Sequence, residues 1–175
     1  RGAVLVHRGE LHVPVGDDRD RNDLRERFGA LLDLVLGVDL HLDASGKEEA
    51  LKELVELLSV NEKSEELFRL LKKRENLGST GIGKGVAIPH CRSLVVDRLR
   101  VVYGRKAEGL DFGAIDGKPV HHLFLIVAPP VEISNQYLPV LGKIAQFCKD
   151  PKNLSSLDEV ESAEDFFAVL EQAGV

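Results

Sequence analysis

Amphipathic helix patterns alternate with short apolar strand patterns along most of this 175-residue chain. In residues 46–59 the apolar side chains recur every three and four positions, as in a helix that packs on a sheet. A second stripe of this kind begins at Ser64, and residues 99–103 and 122–128 have strand patterns. Strands between helices of this length predict an α/β sandwich around a central sheet.

Capping signals and helix breakers place several of the remaining elements. Ser45, followed three residues later by Glu48, has the pattern of a capping box, which predicts a helix start near residue 46. Pro139 lies in a segment with helical periodicity, and we expect it in the first turn of that helix, where proline is tolerated. The further elements are predicted as helices at 24–36, 133–149 and 163–172 and as a strand at 38–42.

The first 23 residues have a different pattern from the rest of the chain. Residues 3–15 alternate loosely and predict a β-hairpin with its turn near Gly9, whereas residues 16–23 mix charges of both signs, as in a linker. We therefore predict a hairpin and linker over 1–23 and one domain over 24–175. The hairpin is either the end of a preceding domain or an extension that pairs with the edge of the domain's own sheet.

Composition excludes several classes of function. The formal charge of −6 and a pI near 5.5, without a basic stripe, argue against a nucleic-acid partner. We expect no membrane insertion of this segment, because no apolar run is long enough to cross a bilayer. Two cysteines, Cys91 and Cys148, are too few for a disulfide scaffold and favour a reducing cytoplasm. The chain contains no Met, even at position 1, so we expect either a processed chain or a piece cut from a longer protein, and we favour the second.

Most of the potential chemistry lies in residues 78–90, which read Gly-Ser-Thr-Gly-Ile-Gly-Lys-Gly-Val-Ala-Ile-Pro-His. The four glycines of this loop allow positive φ, so that several N–H groups can converge on one oxyanion. Residues 86–88 predict a short buried strand, and Pro89 should end its hydrogen-bond ladder because proline has no N–H. His90 is therefore predicted at a strand terminus, facing the loop.

Two interpretations of His90 follow from these residues. A neutral imidazole can attack a phosphoryl group if nearby donors and cations neutralise the phosphate oxygens. The hydroxyls of Ser79 and Thr80 are candidate donors, and the side chains of Arg74 and Lys84 are candidate cations. In the alternative, the loop is only a tight connection and a neighbour satisfies the His90 nitrogen, and the spacing alone favours neither interpretation.

Other kinds of site fit the sequence less well. A metal site at His90, Cys91, His121 and His122 is disfavoured, because adjacent strand residues point to opposite faces. A thiol reaction at Cys91 would have no C-x-x-C partner. Lys84 is followed by glycine, whereas the lysine of a nucleotide-binding P-loop is followed by Ser or Thr. We therefore expect neither a metal nor a cofactor.

Arg74-Glu75 together with residues 78–90 resembles the active-site signature of the IIA components of the bacterial phosphoenolpyruvate-dependent sugar phosphotransferase system. The branch is the fructose/mannitol type, or type 2, which includes the nitrogen-regulatory IIA proteins. The resemblance extends from about Phe28 to the end of the chain. Three later segments resemble the same family in order and spacing, at 110–112, 114–120 and 123–129.

The resemblance implies a mixed central sheet with helices on both faces, the phosphotransferase/anion-transport-protein-like fold. It implies that His90 is the phosphorylated nucleophile and that Arg74 stabilises the phosphate. The phosphoryl donor would be a small phosphocarrier protein, either HPr or its nitrogen-branch counterpart. The next partner would be a IIB component in sugar transport, or a transporter or kinase in regulatory members. The N–H groups and hydroxyls of the glycine loop itself predict the phosphate-binding residues, which are Ser79, Thr80, Gly81, Gly83 and Gly85.

One position departs from the family pattern. Tyr137 stands where many members have a second active-site histidine near the start of a helix. A phenol with a pKa near ~10 can donate a hydrogen bond to phosphate, but it cannot carry positive charge at neutral pH. We therefore expect phosphoryl acceptance on His90 in a regulatory, nitrogen-type role, as a component of a phosphotransferase.

The alternative function is a regulatory or binding domain that transfers no phosphate. Residues 3–17 are similar to the hairpin of the C-terminal regulator-of-potassium-conductance subdomains that are appended to ion channels and antiporters. In this alternative the chain would form the cytoplasmic tail of an ion or solute transporter. Both functions predict a cytoplasmic domain, and the second adds tethering to a membrane transporter.

Overall fold

The fold is known from a computed structural model that describes residues 34–131 and 136–175 and the backbone of residues 4–5. The described strands form one seven-stranded sheet. They are β1 Val4–Leu5, β2 Val35–Asp39, β3 Gly81–Gly83, β4 Val86–Ala87, β5 His90–Arg92, β6 Arg100–Leu110 and β7 Val120–Ala128.

Five α-helices and one 3₁₀ turn, at Asn61–Lys63, are present in the described residues. None of these helices is both long enough and apolar enough to span a lipid bilayer. The helices are α1 Lys47–Leu57, α2 Ser64–Asn76, α3 Tyr137–Phe147, α4 Pro151–Glu159 and α5 Ala163–Gln172.

The long antiparallel pair of β6 and β7 forms the centre of the sheet. On one side β2 runs parallel to β6, and β1 adds an antiparallel edge. On the other side β4 and β5 both run parallel to β7, one after the other, and β3 pairs antiparallel with β4. The sheet is therefore mixed, as the resemblance implied.

Alternate residues of β7 enter two apolar layers, one on each face of the sheet. Phe124 and Ile126 pack with residues of α3, α4 and α5, whereas Leu123 and Leu125 pack with residues of α1 and α2. The strand is nearly continuous in apolar residues because both of its faces are buried. Helices on both faces confirm the predicted sandwich.

The N-terminal edge of the domain differs from the prediction. A helix was expected over 24–36, but its last two residues, Val35 and Leu36, belong to strand β2. Residues 24–33 lie outside the described residues. The strand expected at 38–42 is β2, which begins three residues earlier. Its parallel pairing with β6 buries Val35 and Val38, and this tertiary pairing overrides the local helical periodicity.

Only Val4 and Leu5 of the predicted hairpin are described. They pair antiparallel with Val38 and Gly37 at the edge of the sheet. The predicted turn and the linker lie outside the described residues, so the boundary between them and the domain stays a prediction.

Helix α1 begins one residue later than predicted, because its N-cap residue is one position further along the chain. Gly46, rather than Ser45, is the N-cap residue, and the Ser45 hydroxyl and N–H both donate to Glu49 Oε2, at 2.6 and 2.8 Å. Glu49 therefore takes the position expected for Glu48. The side chain of Glu48 instead pairs with Lys72 of α2 at 2.7 Å.

The C-terminal helices combine one accurate prediction with one omission. The last helix is Ala163–Gln172, as predicted, and its Ser162 hydroxyl accepts a hydrogen bond from Asp165 N at 3.1 Å. Pro139 lies in the first turn of α3, also as predicted. The sequence did not predict α4, which Asp150 caps by accepting from Lys152 N at 2.9 Å.

Candidate active site

His90 lies at the junction between two strands that follow each other along β7. Residues 86–87 pair with β7, the pairing stops at residues 88 and 89, and it resumes at His90, which pairs with Ile126. Pro89, which lies between them and offers no N–H, uses only its carbonyl, which accepts from Ile126 N at 2.9 Å. The ladder is therefore interrupted at Pro89, where it was predicted to stop, and His90 is the first residue of the new strand.

The backbone carbonyl of Ile88 fixes the protonation of the His90 ring. His90 Nδ1 lies 2.7 Å from this oxygen. Because a carbonyl oxygen only accepts hydrogen bonds, Nδ1 carries the ring proton and Nε2 keeps its lone pair. Within the described residues Nε2 has no hydrogen-bond partner, so it is the nitrogen available as a nucleophile.

The surroundings of His90 keep its imidazole neutral. Burial lowers the pKa of His90 below its ordinary value, and the positive charge of Arg74 lowers it further. The hydrogen bond to Ile88 and the charge of Glu75 oppose this change without cancelling it. At pH 7 the ring is therefore mainly in the form that can attack a phosphoryl group.

Arg74 lies in the last turn of α2, one turn before the loop that leads to β3. Its Nη1 donates to the carbonyl of Gly78 at 3.0 Å. Gly78 has a φ of +153°, a value that side-chain-bearing residues rarely adopt. This bond holds the guanidinium at the beginning of the loop, close enough to His90 to depress its pKa.

Tyr137 is the first residue of α3 and lies beside His90. The two ring centroids are 5.8 Å apart, and the rings meet edge to face at 61°. Burial raises the pKa of Tyr137 above its ordinary value, so that the phenol keeps its proton and can donate a hydrogen bond.

Arg92 is a site residue to which the sequence assigned no role. Its guanidinium carbon lies 4.5 Å from the centroid of the Tyr137 ring, and its Nη1 donates to Pro129 O at 2.7 Å. The signal was present, because residues two apart on a strand share a face and Arg92 follows His90 by two. The site therefore has a second guanidinium, which lies beside Tyr137.

Gly83 and Gly85 lie outside this site, contrary to prediction. Residues 84 and 85, with φ of +56° and +78°, form a two-residue turn between β3 and β4, typical of a type I′ hairpin. Val86 pairs with His122, whereas His90 pairs with Ile126, which is four residues further along β7 and roughly 13 Å away. These two glycines make the hairpin and do not surround the histidine.

The donors of Ser79, Thr80 and Gly81 are used within the loop. Thr80 donates its N–H and its hydroxyl to the Glu75 carboxylate, at 2.9 and 2.6 Å. Ser79 Oγ accepts from Gly81 N at 3.1 Å and donates to Phe112 O at 3.2 Å. Phosphate binding by these three residues stays a prediction, and it would require some of these bonds to be exchanged.

Glu75 is the buried carboxylate that organises this loop. Besides the two bonds from Thr80, it accepts from Lys47 Nζ at 3.0 Å. Burial raises the pKa of Glu75, but the hydrogen bonds from Thr80 and Lys47 outweigh this effect and leave the pKa below its ordinary value. The sequence missed this role, although Glu75 continues the buried stripe of Leu67 and Leu71 at four-residue intervals.

The other candidate side chains are not part of the site. Burial raises the pKa of the Cys91 thiol to about 12, so it does not form a thiolate at neutral pH. Lys84 Nζ donates to Lys149 O at 3.1 Å, and His121 and His122 lie at the level of the hairpin turn. Within residues 34–131 and 136–175, no three His, Cys, Asp or Glu side chains converge to hold a metal ion.

Comparison with known proteins shows the family to which this chain is similar. Residues 36–173 match the model of the family described as "Phosphoenolpyruvate-dependent sugar phosphotransferase system, EIIA 2". A nitrogen regulatory protein of Bradyrhizobium diazoefficiens is 33% identical over 133 residues, which are 74% of this chain and 85% of the relative. A fructose-specific EIIA component of Haloferax volcanii is 31% identical over 137 residues, which are 76% of this chain and 88% of the relative.

A solved structure agrees with the sequence comparison. The nitrogen regulatory protein IIA-Ntr of Neisseria meningitidis superposes with a TM-score of 0.71 at 30% identity. The match covers 81% of this chain and 99% of that one, so nearly the whole of that structure has a counterpart in this chain.

Proposed function

The chain belongs to the EIIA 2 family of the phosphoenolpyruvate-dependent sugar phosphotransferase system, and we propose that it accepts a phosphoryl group on His90 in a regulatory role. The observation that carries this proposal is the bond from His90 Nδ1 to the Ile88 carbonyl, which leaves Nε2 as the nucleophile.

In the proposed reaction, Nε2 of His90 attacks the phosphoryl group carried by a phosphocarrier protein. The new bond joins Nε2 to phosphorus, and the bond from phosphorus to the carrier breaks, with its electron pair returning to the carrier. No proton has to leave His90, because Nε2 is already deprotonated. The Ile88 carbonyl stabilises the positive charge that develops on the ring as the new bond forms.

In this proposal two guanidinium groups and one hydroxyl stabilise the transferred phosphoryl group. Arg74 supplies positive charge close to His90, Arg92 supplies a second guanidinium over the Tyr137 ring, and Tyr137 supplies an O–H donor. Phosphoryl transfer depends mainly on positioning and on charge neutralisation of the oxygens, so these groups match its requirements.

The regulatory part of the proposal is supported by the relatives. Two of the three relatives described above carry nitrogen-regulatory names, and both are largely covered by this chain. The donor in this proposal is HPr or its nitrogen-branch counterpart. A IIB component is the acceptor that Tyr137 makes least suitable, because the phenol cannot become a cation as a second histidine can.

A labelling experiment tests the acceptor. The chain is incubated with enzyme I, a phosphocarrier protein and radioactive phosphoenolpyruvate, and we expect a label that acid removes and alkali does not. His90→Ala should abolish the label. His41→Ala, which changes an exposed histidine outside the site, should retain it. Equal labelling of wild type and His90→Ala would refute the proposal.

A further inference from the structure

A groove of about 420 Å³ lies beside the turn between β3 and β4. His122 of β7 is part of its wall and pairs with Val86. Ile126, the residue of β7 that pairs with His90, lies four residues further along the strand. Four of the side chains that line it carry basic groups, and Asp158 is the acidic one. The basic residues are Lys84, Arg105, His121 and His122. A volume of this size is typical of small-molecule sites.

Arg105 is the buried cation of this groove. It is only 8% exposed, and its Nη1 donates to the carbonyls of Leu157, Asp158 and Val160 at 2.8–3.0 Å. Its Nη2 has no hydrogen-bond partner in the described residues. No fully buried side-chain nitrogen among those residues lacks a partner, so Nη2 has exposed surface. Arg105 also lines the groove.

The charge of Arg105 is not neutralised by an ion pair. In the described part of the chain, no carboxylate lies within ion-pair distance of its guanidinium. The three carbonyls at the end of α4 offer only the partial negative charge of a helix C-terminus. The buried positive charge of Arg105 is therefore only partly compensated, and an anionic ligand bound at Nη2 would complete the compensation.

Lys84 provides a second cation on the same groove. It adopts a φ of +56°, a conformation unfavourable for a lysine, in the turn between β3 and β4. Its Nζ donates to Lys149 O at the end of α3, so one of three ammonium donors is used within the described residues. The turn therefore places the Lys84 ammonium group at the rim of the groove, with two N–H donors that a ligand can use.

Asp158 restricts which anions fit. Its Oδ1 lies 3.1 Å from Nε2 of the buried His122, whose Nδ1 is 2.8 Å from the hydroxyl of Tyr103. With Tyr103 donating to Nδ1, Nε2–H donates to the carboxylate, which fixes Asp158 on the wall. A carboxylate there repels a bare anion but accepts a hydrogen bond from a hydroxyl on the ligand.

We propose that this groove binds a small hydroxylated oxyanion. The anionic group of the ligand would lie between Arg105 Nη2 and Lys84 Nζ, and a hydroxyl of the ligand would donate a hydrogen bond to the Asp158 carboxylate. Phosphate esters and hydroxycarboxylates share this chemistry. The site is separate from His90, and the proposal does not depend on phosphorylation.

Titration followed by NMR tests the groove with two probes, ribose 5-phosphate and citrate. We expect saturable shifts of the amide signals of Gly85, Arg105 and His122 at millimolar concentrations of at least one probe, and the probe that binds identifies the anionic group. Lys84→Gln should weaken binding at least fivefold. Lys152→Gln, an exposed lysine outside the groove lining, should leave it unchanged.

Three results would overturn the proposal. They are the absence of a saturable shift with both probes, shifts confined to residues around His90 and Arg74, and equal affinity of wild type and Lys84→Gln. Phosphorylation is measured separately on the same variant and should be retained. Loss of labelling in the wild type would refute the proposed function and leave the groove result standing.

Discussion

The Tyr137 ring meets the His90 imidazole edge to face, with the ring centroids 5.8 Å apart, and the Arg92 guanidinium lies over the same tyrosine. The phenol offers a hydrogen-bond donor beside His90, and the guanidinium offers a positive charge beside the phenol. In this chain the donor and the charge are on different side chains, and they can be removed one at a time.

Tyr137→Phe should slow phosphoryl acceptance about tenfold, because the phosphoryl group loses one hydrogen bond of the kind made to charged groups. The contact of the ring with His90 and Arg92 is retained, so folding should not change. The initial rate of labelling from the phosphorylated carrier is the measurement. An unchanged rate would show that the hydroxyl does not reach the phosphoryl group.

Arg74→Met should reduce the rate of phosphoryl acceptance about a hundredfold or more, as expected when a preorganised charged donor is removed. The same change should raise the pKa of His90, because the charge of Arg74 holds it down. Both effects are measurable, the first by labelling and the second by NMR titration of the imidazole. Arg69→Met, on an exposed face of the same helix, is the matched control.

Stability should decrease as the pH falls below about 6.5, the ordinary pKa of histidine. Burial lowers the pKa of both His90 and His122 in the folded chain. Between the lowered folded values and 6.5, the unfolded chain therefore binds more protons than the folded chain, so acid favours unfolding. Urea unfolding at pH 7.5 and 5.5 measures this difference, and His122→Gln should reduce it.

Glu75→Gln should destabilise the fold by about 1–3 kcal/mol, because the amide cannot accept all three bonds from Thr80 and Lys47. The folded pKa of Glu75 is lowered, so its contribution is present above the unfolded pKa and is lost as the pH falls through the folded one. Glu48→Gln, in an exposed pair with Lys72, should change stability by less than about 1 kcal/mol. Equal effects of the two variants would contradict the role given to Glu75.

Two glycine substitutions should change stability in opposite directions. A Cβ on Gly81 would lie 2.8 Å from the Cα and Cβ of Ala114, so Gly81→Ala should be destabilising by about 1–3 kcal/mol. Gly142 lies inside α3, where a new Cβ would meet no atom within 4 Å apart from its chain neighbours and the backbone of its own helix, and Gly142→Ala should stabilise by about 0.5–1 kcal/mol. Thermal unfolding of the two variants compares them directly.

Local signals predicted those parts of the fold that are determined locally. The last helix was predicted to the residue because Ser162 both precedes and caps it. The glycine loop was harder, because the same glycines suit an anion nest and a type I′ hairpin. Pairing of Val86 with His122, a contact distant in sequence, decides between them. The burial of Glu75 escaped prediction because a carboxylate on an apolar stripe is normally exposed.

The proline between β4 and β5 determines which regioisomer of phosphohistidine this chain can make. The interruption at Pro89 leaves the carbonyl of Ile88 to hold Nδ1 of His90. A phosphoryl group on His90 would therefore be joined to Nε2, giving the tele isomer of the modified residue. A feature of the backbone hydrogen-bond ladder thus decides an outcome of covalent chemistry.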